Sequence, residues 1–117
     1  MMAAILESGE LPRLYTGLSL LVSAAAEGEP ARGLVSFGAL EPMLAENLAE
    51  RAAVHGHVFA RSLAELRDTA ASLEDCRLWA CAAAVQTSGT TALGSLEGIM
   101  STPRFLKEIG DARLVVV

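Results

Sequence analysis

Cys76-Arg77-Leu78-Trp79-Ala80, followed at once by Cys81, is the stretch on which the reading of the fold turns. It is short, and Arg77 is its only charge. A strand buried on both faces shows such a continuous apolar run, whereas a half-solvated strand alternates. Upstream, Leu63, Leu66, Ala70 and Leu73 recur at helical spacing. Downstream, Leu78 to Leu96 (LWACAAAVQTSGTTALGSL) runs 19 residues without a formal charge. A helix, a buried strand and an uncharged segment therefore follow one another.

Working outward, the same alternation recurs. Met2 to Glu7 (MAAILE) and Gly33 to Phe37 (GLVSF) read as strands before it, and Glu97 to Met100 (EGIM) and Arg113 to Val117 (RLVVV) as strands after it. Pro12 suits the first turn of a helix, where its missing N–H costs nothing, and Leu14, Leu18, Leu21 and Ala25 carry that helix to about Ala26. Pro42 opens a second helix on the same grounds, fading near Ala53. Ser62 with Glu65 forms a capping-box pattern for the next. Thr102 and Pro103 cap and start the last, which carries Phe105, Leu106 and Ile109. Strands that alternate with helices define an α/β protein. The expectation is a three-layer α/β/α arrangement around a five-stranded parallel sheet, in a single domain spanning 1–117.

Hydrophobic residues make up 52% of the chain and charged ones 20%. A small monomer has a high surface-to-volume ratio and needs polar cover. The favoured reading is a homo-oligomer, with part of the apolar surface against another subunit. Leu14 to Ala26, the most apolar stretch, is too short and too rich in Ser, Thr and Gly to span a bilayer, which takes about 20 residues. Glu7 and Glu10 sit where a signal peptide avoids acid. No membrane partner is expected, and the location read from these features is cytoplasmic. The net charge is −5 and the Lys and Arg residues are scattered, so no nucleic acid partner is expected.

No phosphate-binding glycine loop of the G-x-G-x-x-G or G-x-x-x-x-G-K-[ST] type is present, so no nucleotide cofactor is expected. His55 and His57 flank Gly56 without a third donor at a recognised spacing, so they read as a turn and not a metal site. Ser8 and Ser88 have no paired base in view. Cys76 and Cys81, if on one strand, lie roughly 16 Å apart, too far for a disulfide. Cys76 opens a buried strand and reads as core. Cys81 stands at the carboxyl end of that strand, where open parallel sheets collect ligands. Amide N–H groups of a following helix would stabilise its thiolate, the form that attacks or accepts sulfur. The alternative keeps Cys81 as a small buried apolar residue.

The opening strand with Ser8-Gly9, the Ala/Leu-rich first helix, the strand RLWAC ending on Cys81, and the closing TPRFLKEIGDARLVVV from Thr102 together resemble the DsrE/DsrF-like family of small sulfur-metabolism proteins. The resemblance covers nearly the whole chain. It implies trimers or hexamers of a five-stranded parallel α/β domain. In sulfur-relay members a loop cysteine carries persulfide sulfur between a donor and an acceptor protein, and that role would fall on Cys81. The chain departs from the relay pattern just after it, where Ala82-Ala83-Ala84 offer no charged neighbour to tune the thiol. The other expectation is a non-enzymatic homo-oligomeric binding or scaffold module with no thiol chemistry.

Overall fold

A computed structural model describes residues 1–117. Five strands, β1 (Met2–Leu6), β2 (Ala31–Val35), β3 (Cys76–Cys81), β4 (Ile99–Met100) and β5 (Arg113–Val116), form one all-parallel sheet in the order β4-β3-β2-β1-β5. Six α-helices accompany them: α1 (Leu11–Ala26), α2 (Phe37–Leu44), α3 (Leu48–Ala52), α4 (His57–Ser72), α5 (Ala82–Ser88) and α6 (Thr102–Ile109). The expected three-layer α/β/α arrangement holds.

The layers follow from the strand order. From β1 to β4 each strand moves one place in the same direction, and right-handed crossovers then set the intervening helices on one face. A β-carbon added at Gly33 would stand 3.0 Å from Leu21 of α1, which puts α1 over Gly33 and the residues in register with it, Ala4 and Leu78. The chain then returns from β4 to β5 across the whole width of the sheet, roughly 19 Å at the usual strand spacing. It does so under the opposite face through α6, whose Phe105 and Ile109 are buried. Phe105 meets Trp79 edge-on with ring centroids 6.4 Å apart. The second face therefore carries Arg32, Leu34, Arg77, Trp79, Leu114 and Val116, with one eight-residue helix to cover it.

Several boundaries differ from the sequence reading, each for a local reason. β2 spans Ala31–Val35 and not Gly33–Phe37, so Ser36 falls just beyond it. α2 begins at Phe37 and holds Pro42 in its interior. A proline there removes the bond to the carbonyl four residues back, which belongs to Gly38. That carbonyl lies against Gly9, whose added β-carbon would stand 2.8 Å from it. Arg67 reaches from α4 to the carbonyls of Pro42, Met43 and Ala45 at the end of α2. α4 starts five residues before the Ser62 capping pattern; Ser62 is interior and shares a 2.8 Å hydrogen bond with Tyr15 Oη of α1. Ser101 caps α6, its Oγ accepting from Arg104 N at 3.3 Å, so Thr102 is the first helical residue.

The turns after β1 and β2 touch backbone to backbone. A β-carbon on Gly38 would stand 2.8 Å from both Glu7 O and Gly9 N. No flexible side chain is there to yield. Gly38→Ala is expected to cost about 1–3 kcal/mol, the usual range for overpacking a tight site, read as a lowered urea midpoint with an unchanged slope.

Candidate functional site

Alternation along the strands decides what surrounds Cys81. Arg32 pairs with Arg77 and Leu34 with Trp79, so the next step of the same face brings Ser36 beside Cys81. Cys81 also pairs with Met100 of β4, and two residues later Thr102 begins α6. Cys81 is itself the residue before α5, so the first amides of that helix open toward its sulfur. Three segments far apart in sequence thus converge at the carboxyl edge of the sheet.

Cys81 is 3% exposed. Burial pushes its thiol up, but the amide N–H of Ala84, the hydroxyl of Ser36, the amide N–H of Ala83 and the hydroxyl of Thr102 act together against burial. They hold the Cys81 thiol below its ordinary value. Hydrogen bonds to an anion lower its pKa without any full positive charge. Cys76, five residues earlier and on the other face, has none of these donors. Burial pushes its thiol up to about 11, partly opposed by the charge of Arg32. One strand therefore carries two buried cysteines whose thiols are shifted in opposite directions. Both are free.

Ser36 and Thr102 were not legible as partners of Cys81 from sequence. The bland Ala82-Ala83-Ala84 run tunes the thiol through its backbone, not its side chains. Alternation on β2 is the signal that would have found Ser36, given the correct end of that strand. Thr102 would have followed from assigning the cap to Ser101. Phe37, next to Ser36, is 53% exposed and is the one non-glycine residue at positive φ (+20°). It gives the turn beside the thiol a large apolar outer surface.

The other sequence candidates lie elsewhere. Ser8 Oγ accepts from Glu10 N at 3.1 Å, and Ser88 Oγ bonds to Val85 O and Thr90 within its own turn. His55 packs edge-on to Phe59, His57 opens α4, and no group of three metal-binding side chains comes together in the chain. Arg104 and Lys107 are exposed on α6. The uncharged segment folds as α5, closed by Gly89 at φ +72°, and an irregular run to β4. No helix is long and apolar enough to cross a membrane.

No family model matches the chain, and no curated protein matches it.

Proposed function

We propose that the chain is a DsrE/DsrF-like cytoplasmic sulfur carrier, working as a homo-oligomer (a trimer or hexamer), in which Cys81 holds sulfane sulfur between a donor and an acceptor protein. The observation that carries this reading is the set of donors at Cys81, which favours a thiolate at the ligand-collecting edge of the sheet. In the uptake step the Cys81 thiolate attacks the terminal sulfur of a donor persulfide, R–S–SH. The new S–S bond forms as the donor S–S bond breaks, and the donor leaves as R–S⁻. The proton stays on the transferred sulfur, giving Cys81–S–SH. An acceptor thiolate then attacks that terminal sulfur and releases the Cys81 thiolate. Nothing is oxidised or reduced overall, so no cofactor or metal is called on. The same amides and hydroxyls that receive the thiolate at the start receive it again on release.

The pH profile of alkylation tests the first requirement. Alkylation at Cys81 is expected to reach half its plateau at a lower pH than an ordinary thiol does. Ser36→Ala and Thr102→Val should each move that half-point up, and the double variant further than either. A profile that neither substitution moves would remove the basis of the proposal.

The near-complete burial of Cys81 favours a second reading, the homo-oligomeric binding or scaffold module in which Cys81 only fills space. The two separate on Cys81→Ser. The carrier loses sulfur uptake and keeps its assembly, whereas the module takes up no sulfur in either form and loses stability.

A further inference from the structure

We infer that β5 is a two-fold dimerisation edge, on which a second copy of this chain pairs antiparallel so that the two sheets run on as one. The inference is independent of the thiol chemistry. It starts from which backbone groups of β5 are used. Arg113 N donates to Met1 O, Val117 N donates to Ile5 O, and Val117 O accepts from Glu7 N. The odd-numbered residues therefore face β1. The N–H and C=O of Leu114 and Val116 point the other way, at the outer edge of the sheet, where no strand follows. Such a row of free donors and acceptors is a template for another strand.

Natural edges are usually blunted by a lysine, a proline or a bulge. None occurs in β5, whose side chains are those of Arg113, Leu114, Val115 and Val116. The one charge is occupied: Arg113 donates to both carboxylate oxygens of Glu29 at 2.8 Å, and Glu29 also pairs with the Met1 amine at 3.3 Å. The strand itself therefore brings no unpaired charge against its copy, and the unpaired carboxylate nearby is that of Glu27, beside Leu20 in the same depression. The opposite edge, β4, is two residues long and cannot compete.

The same edge collects exposed apolar side chains. Leu114 and Val116 project from one face of the sheet, and Leu20 of α1 shares a depression with Arg113 on the other. A two-fold axis normal to the sheet through Val115 keeps like faces together. Leu114 then lies opposite Val116 of the second copy as a hydrogen-bonded pair, twice over, giving four inter-chain hydrogen bonds and a continuous apolar band. On the other face Leu20 of each copy, beside Arg113, adds apolar surface to the contact, for which a stable dimer needs roughly 800 Å² per partner. A contact of this symmetry fits a dimer or a dihedral assembly, and a cyclic trimer alone cannot contain it.

Val115 of each copy forms the non-hydrogen-bonded pair at the axis, where Cα atoms approach to about 4.5 Å and a disulfide can close. The test uses the full chain. By sedimentation at micromolar concentration the wild type is expected to contain the dimer. Val116→Pro removes only an outward N–H, so β1 pairing and the thermal midpoint should survive while association weakens about 100-fold. Val115→Cys, in a Cys81→Ala background, should give an inter-chain disulfide mapped to residue 115 on mild oxidation, and Leu114→Cys should not cross-link to itself. A wild type that stays monomeric, a dimer that survives Val116→Pro, or a dimer in which Val115→Cys fails to cross-link would each overturn the proposal. Should Val116→Pro fail to fold, the cross-linking pair decides alone.

Discussion

Replacing Cys81 by alanine is expected to take sulfur uptake from one sulfur per chain to none, while Cys76→Ala leaves uptake intact. The contrast follows from alternation on β3. Cys76 and Cys81 stand on opposite faces, and only Cys81 has the Ser36 and Thr102 hydroxyls and the Ala83 and Ala84 amides around it. Cys76 sits where burial raises its thiol to about 11. At neutral pH it is a thiol and a poor nucleophile. The measurement is intact mass after incubation with a donor persulfide, followed by peptide mapping. One added sulfur on the peptide containing Cys81 is the expected result. Both cysteines lie close in sequence, so a cleavage after Arg77 is the useful one: it leaves Cys76 and Cys81 on different fragments. Sulfur found on the Cys76 fragment, or on neither, sinks the carrier proposal. Retained stability in Cys81→Ala would also weigh against a purely structural role for the residue.

The largest expected effect on stability belongs to Phe105→Ala. Phe105 is fully buried and is the main anchor of α6, the one helix under the second face of the sheet. Phenylalanine-to-alanine changes in cores cost about 3–5 kcal/mol, from lost transfer energy and the cavity left behind. Whole domains are stable by only about 5–15 kcal/mol, so the loss consumes much of the total. No neighbouring helix can close the gap, because α6 alone crosses that face. Urea denaturation followed by tryptophan emission reads both effects, since Trp79 is the single tryptophan and its ring meets Phe105 edge-on. A lowered midpoint with red-shifted native emission is expected. A loss below about 1 kcal/mol would mean that α6 is held by something other than Phe105.

The sequence made the architecture legible and most of the site illegible, and the reason is the same in both cases. Continuous apolar runs such as Met2–Leu6 and helical stripes such as Leu14-Leu18-Leu21 are local patterns, and the structure places strands and helices on them. Cys81 was legible because its position at a strand end is also local. Ser36 and Thr102 meet Cys81 only through strand register, which no window of sequence contains. Local patterns also misled. Ser62 and Glu65 have the spacing of a capping box, yet Gly56 at φ +104° breaks the chain earlier and the hydroxyl serves Tyr15 instead. Pro42 reads as a helix start, and the helix begins five residues before it. The carbonyl that Pro42 leaves unbonded lies in the Gly9 contact.

The strand order also bears on how the chain is made. β1 lies between β2 and β5, so among these five strands the one made earliest has its second neighbour in the one made latest. During translation β1, β2 and β3 can pair in the order they emerge, which suits domains that fold as they are made. One flank of β1, with Ala3 and Ile5, stays open throughout that time and is closed only when Arg113, Val115 and Val117 arrive. Until then that flank is an unpaired strand edge on a growing chain, a template on which another copy can pair. Slow synthesis of the stretch between β3 and β5 would lengthen that exposure.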